Sequence, residues 1–298
     1  MAWSLLGLVV AASWAERPAF GQAQSQFEEL PGWRLVFNDE FEGDALDAKK
    51  WKALDRRDSF NNEKQYYHPD QVVVSEGQLH LTAINEPRDG KEFQSGIITS
   101  HDIFGPGRFE ARIDLPTSQG MWPAFWLNAN QVQWPLGGEI DIMENRGSEP
   151  LIVSSAYHWQ AEPGPCCDDH EYVFENHSAT GRDRKPVNFH EGFNTYTAVW
   201  DERVIRFFVN GDLHFKVTRK RGRPIFDTPK NIIVNLAVGG DFGGDPDDTT
   251  VWPQTMHVDY VRVWRRESEP SSGYNADGSA PAIPQGANLD PKERLLKR

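Results

Sequence analysis

Gly107-Arg108-Phe109-Glu110-Ala111-Arg112-Ile113-Asp114-Leu115 alternates apolar and charged side chains at every step. Successive side chains of a strand point to opposite faces, so this period of two describes a ribbon with one face buried and the other in water. A helix made of the same residues would scatter its apolar groups around the axis. Downstream, Val204 to Val209 and Asp212 to Val217 flank Asn210-Gly211, a pair that accepts the positive φ of a tight hairpin turn.

Working outward, short β-rich runs separated by Gly, Pro, Asn and Asp extend from Trp33 to Trp264. Candidate strands are Trp33 to Phe37, Val72 to Val74, Gln78 to Ala83, Gly96 to Ser100, Ala124 to Leu127 and Gly138 to Glu144. Others are Ile152 to His158, Thr195 to Trp200, Asn231 to Val238 and Met256 to Trp264, with no long helix between them. Many strands without crossover helices predict an all-β fold, a jelly-roll sandwich of two antiparallel sheets.

The chain has 298 residues, 38% hydrophobic and 25% charged, which suits one large core and excludes a disordered scaffold. With 31 Lys plus Arg against 44 Asp plus Glu, the net charge of −13 gives no basic footprint for a nucleic acid. The 11 Trp against 4 Met point to stacking surfaces as well as core filling. The two cysteines, Cys166 and Cys167, are adjacent and cannot staple distant segments.

Residues 1–23 read as a signal peptide, with an apolar run from Trp3 to Val10 and cleavage after Ala15 or Ala23. No later run is apolar enough to span a membrane, so the mature protein is expected to be secreted or periplasmic, and a monomer. Residues 24–266 form the domain, and 267–298, rich in Ser, Pro and Gly, form a disordered tail.

Chemistry concentrates in Gly138-Glu139-Ile140-Asp141-Ile142-Met143-Glu144-Asn145. In a regular strand Glu139 and Asp141 share a face, while Glu144 falls on the other. One extra residue, a β-bulge near Ile142 and Met143, would return Glu144 to the first face and let Ile140, Ile142 and Met143 pack inward. Paired carboxylates suit glycosidic cleavage, one giving a proton to the leaving oxygen while the other attacks the anomeric carbon or activates water. From spacing alone the acids could equally be solvated or bind calcium. Trp122, Trp126 and Trp134 supply the indole faces on which sugars stack. Alternation puts Trp122, Ala124 and Trp126 on one face and Phe125 on the other.

Glu139 to Glu144 resembles the E-x-D-x-x-E signature of glycoside hydrolase family 16, bulge residue included. Gly107 to Arg112, Trp122 to Trp126, Asn235 to Gly240 and Asp259 to Val263 are similar to its laminarinase-like, endo-1,3-β-glucanase branch. The resemblance covers about Trp33 to Trp264. It implies a curved, concanavalin A-like sandwich with an open cleft on the concave face, and a retaining hydrolase of β-1,3 or mixed β-1,3/1,4 glucans such as laminarin. By matching positions, Glu139 is the nucleophile, Glu144 the acid/base and Asp141 their assistant. His158, Asn61 and Trp134 resemble residues at the acids and substrate subsites. No cofactor is required; a structural calcium with Asp259 as ligand is also implied. Two features depart from the pattern: Pro135-Leu136-Gly137-Gly138, and the polar insertion Gln160 to Pro186 with Cys166-Cys167-Asp168-Asp169-His170, which could form a rim of the cleft or a cation site and by default reads as a surface loop. The rivals are a hydrolase of a marine galactan (agarose, porphyran or carrageenan) and a sugar-binding lectin.

Overall fold

The computed structural model describes residues 30–162, 169–181 and 184–267. The signal segment, the tail after Glu267 and the Cys166-Cys167 pair lie outside the described residues. In chain order the strands are β1 (Trp33–Asp39), β2 (Trp51–Ala53), β3 (Gln65–Tyr67), β4 (Val72–Ser75), β5 (Gln78–Ala83) and β6 (Phe93–Ser95). They continue as β7 (Ile97–Ser100), β8 (Gly107–Asp114), β9 (Met121–Asn128), β10 (Glu139–Glu144), β11 (Val153–Trp159) and β12 (Glu171–His177). The last are β13 (Asn194–Trp200), β14 (Val204–Val209), β15 (Asp212–Thr218), β16 (Asn231–Val238) and β17 (Gln254–Arg266).

One antiparallel sheet runs β15-β14-β13-β8-β17-β5-β4, with β1 also paired to β17. The other runs β12-β11-β10-β9-β16-β7-β2. The expected jelly-roll sandwich is what forms. In β8, Phe109, Ala111 and Ile113 are fully buried while Arg108, Glu110, Arg112 and Asp114 face outward. Phe125, Leu127, Ile140, Val234 and Leu236 of the second sheet join the same core. Burying one such large side chain contributes about 1.5–3 kcal/mol, so the alternation fixes which face of each sheet turns inward. Asn210 and Gly211 close the β14-β15 hairpin at φ 51° and 85°.

One expectation is corrected. The Gln160 to Pro186 segment is not simply a surface loop, because Glu171–His177 forms β12, paired along its length with β11 from Val153↔His177 to Trp159↔Glu171. As the sheet's edge it has one neighbour and little burial, which allows a polar composition that reads as loop. β2, β3 and β6 were also invisible to periodicity, since three residues are too few to display a period of two.

Candidate active site

β10 is paired on both sides, to β9 and to β11. Glu139 lies opposite His158, Asp141 opposite Ala156 and Glu144 opposite Ser154, so three residues of β10 cover a span for which β11 uses two. This is the anticipated bulge. Ile140, Ile142 and Met143 are buried in the core, and Glu139, Asp141 and Glu144 line one groove on the opposite face. Ile142 has no register partner; its carbonyl instead accepts from Ser155 Oγ at 2.8 Å. With that proton committed, His214 Nε2 donates to Ser155 Oγ across 3.1 Å. Burial pushes His214 down to about 4, which keeps the imidazole neutral as this pairing requires. A side chain of β15 thus reaches across the sandwich to brace the bulge.

The groove encloses about 400 Å³. Trp122, Ala124 and Trp126 line it, while Phe125 is fully buried on the other side, as alternation required. Trp134 and Asn61 line it too. The indoles also orient polar groups. Trp134 Nε1 donates to Glu139 Oε2 at 3.1 Å, Trp122 Nε1 to Glu144 Oε1 at 3.0 Å, and Trp126 Nε1 to Asn235 Oδ1 at 2.8 Å. Burial, followed by the charge of Asp141, raises the Glu144 carboxyl to about 8 despite opposing help from His158 and Trp122. Glu144 therefore holds its proton at neutral pH.

His158 Nε2 lies 3.2 Å from Asp141 Oδ2. Burial pulls His158 down, but the hydrogen bond and charge of Asp141, with Glu139 and Glu144, outweigh it and push it up to about 9. The imidazolium's other donor, Nδ1, is 2.8 Å from His170 Nε2. Burial and the His158 charge lower His170, leaving it neutral and able to accept. The two ring planes lie within 18° with centroids 5.0 Å apart, as expected of imidazoles sharing an in-plane N–H···N bond rather than stacked faces. His170 also packs against Trp134 at 4.5 Å, so it touches the partners of both Asp141 and Glu139.

His170 was missed as a partner of His158 because it lies inside the polar insertion, with no local pattern to single it out. Lys230 was missed as well. Fully buried, it donates to the carbonyls of Gly137 at 2.8 Å and Thr228 at 2.9 Å, and lies 4.3 Å from the Trp200 ring centre. Burial lowers it to about 7. It thereby ties down the turn that delivers Glu139. Gly138 enters β10 at φ 72°, where a Cβ would stand 2.9 Å from the Tyr157 hydroxyl. Asn235 donates to Tyr67 at 3.0 Å; its sequence signal was its place in the Asn235 to Gly240 segment.

Glu139, Asp141 and His158 offer ligand atoms within 4.8 Å of one another, a spacing that could hold a metal. His158 is held as a cation beside these carboxylates, so a metal there would have to displace its proton. Calcium at Asp259 is a poor fit. Calcium takes six to eight oxygens, whereas Asp259 Oδ2 accepts from the Arg112 guanidinium at 2.7 Å. A cation is already supplied there by the chain.

Residues 33–266 match the sequence profile "Beta-porphyranase A-D, GH16 domain". The chain is 32% identical over 259 residues to "Beta-glucanase" of Rhodothermus marinus, covering 80% of this chain and 87% of that protein. It is 32% identical over 272 residues to "Glucan endo-1,3-beta-glucosidase A1" of Niallia circulans, covering 80% of this chain but only 39% of that longer protein. The catalytic domain of an endo-1,3-beta-glucanase (laminarinase) from Thermotoga petrophila RKU-1 superposes with a TM-score of 0.70 at 29% identity, covering 79% of this chain and 98% of that one. No helix among the described residues is long and apolar enough to cross a membrane.

Proposed function

The chain belongs to glycoside hydrolase family 16, and on that premise we propose that it is a retaining, endo-acting hydrolase of β-1,3 or mixed β-1,3/1,4 glucans such as laminarin. The observation that carries the proposal is the division of labour between two carboxyls on one groove wall. Glu144 stays protonated up to about 8, while Glu139 takes the Trp134 N–H. In the first step Glu139 attacks the anomeric carbon as Glu144 gives its proton to the departing glycosidic oxygen. In the second, the Glu144 carboxylate takes a proton from the water that attacks the same carbon, and Glu139 leaves as a free carboxylate.

Asp141 and His158 act on this pair through charge. Asp141 helps keep Glu144 protonated, and cationic His158 limits the total negative charge beside Glu139. When Glu139 becomes an ester, one negative charge disappears and Glu144 loses its proton, so the site's total charge is the same on both sides of the step. Trp122 and Trp126 offer apolar faces for the sugar, and Asn61 and Trp134 complete the subsites. A polymer of this kind cannot enter a cell, so the enzyme works outside the cytoplasm, in keeping with the apolar run at the amino terminus.

A galactan is the second candidate substrate, favoured by the porphyranase profile and by Arg56, a groove cation placed between the rings of Phe60 and Tyr67. A guanidinium there suits a sulfate ester. A panel of laminarin, mixed-linkage glucan, agarose and porphyran with product analysis decides between them. Internal cleavage of laminarin is the expected result; cleavage of agarose or porphyran with none of laminarin would replace glucan by galactan.

A further inference from the structure

A bulge also interrupts β15, the end strand of the sheet opposite the acids. Phe207 lies opposite Phe215 and Phe208 opposite Leu213, so His214 is an extra residue with no partner on β14. A bulge re-aims the side chain it carries, and here the imidazole reaches Ser155 of the other sheet. On the way it meets His177, the last residue of β12, which is the end strand of that other sheet. The two rings have centres 4.7 Å apart and planes inclined by 35°. His177 lies opposite the buried Val153 and alternates to the face away from the groove, so this meeting point is separate from the catalytic cleft.

Two nitrogens there are left over. His214 Nδ1 and His177 Nε2 are both shielded from solvent, and neither has a hydrogen-bond partner among the described residues. A buried polar nitrogen without a partner is costly, and two side by side call for an occupant. The tautomer decides what His214 offers. Because Ser155 gives its proton to the Ile142 carbonyl, His214 Nε2 carries the hydrogen it shares with Ser155, and Nδ1 is left as a bare lone pair. An imidazole whose other N–H is pinned by an oxygen is the usual arrangement of a metal ligand. Burial lowers both imidazoles, His214 to about 4, so both are neutral at pH 7 as ligation requires. His158, by contrast, is already a cation. With metal–nitrogen bonds of about 2.0–2.1 Å, two imidazoles on one tetrahedral ion hold their ring centres roughly 5 Å apart, close to the spacing found here. Asp212 and Glu175, both exposed, act on His177 through their charge, so carboxylates stand near enough to offset that of an ion.

We propose that His177 Nε2 and His214 Nδ1, with Asp212 and Glu175 beside them, form a binding site for a divalent transition metal such as zinc, which clips the end strands of the two sheets together. Two neutral nitrogens select such an ion over calcium or magnesium, which take oxygen ligands. The clip also reaches the chemistry. A metal on Nδ1 polarises the Nε2–H that holds Ser155, and through Ser155 it tightens the brace on the Ile142 carbonyl of the catalytic bulge. None of this depends on which bond the enzyme cuts.

The test is a calorimetric titration of zinc chloride into the full chain, first freed of metal with a chelator. One equivalent should bind, with Kd in the micromolar range. His177→Gln should weaken binding by at least about 10-fold and remove the rise in urea midpoint that zinc gives the wild type. Imidazole NMR of the wild type reads the ligands without mutation and decides the matter should the variant fold poorly: the His177 and His214 signals should shift on adding zinc. No zinc bound by the wild type, equal affinity in His177→Gln, or unmoved His177 and His214 signals would each overturn the site. In the last two outcomes the ion sits elsewhere, at Glu139, Asp141 and His158 or at the His80–His257 pair, whose Nδ1 atoms are 2.8 Å apart.

Discussion

On the β9 flank of β10, Trp126 donates to Asn235, Asn235 donates to Tyr67, and the groove wall is held by buried hydrogen bonds between strands far apart in sequence. On the β11 flank, a charged imidazolium bridges Asp141 to His170, and beyond it the rings of β12 stand in solvent. The three carboxyls of β10 draw on both flanks. Glu144 and Glu139 take indole N–H groups from the groove side, and Asp141 takes His158 from the edge side. Neutral donors fix direction at modest electrostatic cost, whereas a charged partner sets how many protons the cluster holds. The difference assigns geometry to one flank and protonation to the other.

The largest effect should come from the acids that both flanks serve. Glu144→Gln is expected to lower turnover by about 10²- to 10⁴-fold, the usual contribution of a positioned acid/base, and Glu139→Gln at least as much. Kinetics on the cleaved polymer, with circular dichroism to verify folding, check this. Near-normal turnover in either variant would remove the assignment. In the wild type, kcat/KM should fall as pH rises through about 8, because the proton on Glu144 is the one delivered.

A smaller effect separates the flanks. His170→Ala removes the acceptor of the His158 N–H, and a charge-assisted bond favours the imidazolium over the neutral ring. His158 should therefore titrate below its present value of about 9. The groups facing it are Asp141, Glu139, Glu144, His170, Trp134 and Tyr172, so the loss acts within an otherwise unchanged acidic surround. Losing the His158 charge removes an influence that lowers Glu144, so the alkaline limb of activity should move to higher pH, and His170→Asn, whose amide oxygen can accept, should recover part of the shift. Imidazole NMR titration reads the shift directly. An unmoved limb would mean that the edge flank does not control protonation.

The smallest effect concerns the brace beneath the bulge. Ser155→Ala leaves the Ile142 carbonyl and the His214 N–H without their shared partner, a loss of about 1–3 kcal/mol. Urea unfolding measures it. A variant as stable as the wild type would show that the bulge is held by its packing alone.

Much of the architecture could be read directly from local pattern. The alternation at Phe109 to Leu115 and the Asn210-Gly211 turn each determine their own geometry within a few residues. The bulge was legible for the same reason, since an odd spacing between acids in an apolar strand has one simple repair. What stayed hidden depends on partners distant in sequence. Lys230 binds a carbonyl 93 positions away, and Arg112 meets Asp259 across 147. The family resemblance implied a cation at Asp259, but nothing local showed that Arg112 would supply it. β12 was concealed by its own exposure, because its apolar side chains Tyr172 and Phe174 face solvent rather than core.

The anomeric configuration of the first-formed product, followed by proton NMR on the cleaved polymer, tests the central claim most directly. Carboxyls brought to one face by the bulge and close enough for a covalent intermediate, about 5–5.5 Å apart, give retention. The β anomer should appear first and mutarotate later. Initial release of the α anomer would contradict the account, since it would require a water molecule between the two acids rather than Glu139 bonded to the sugar.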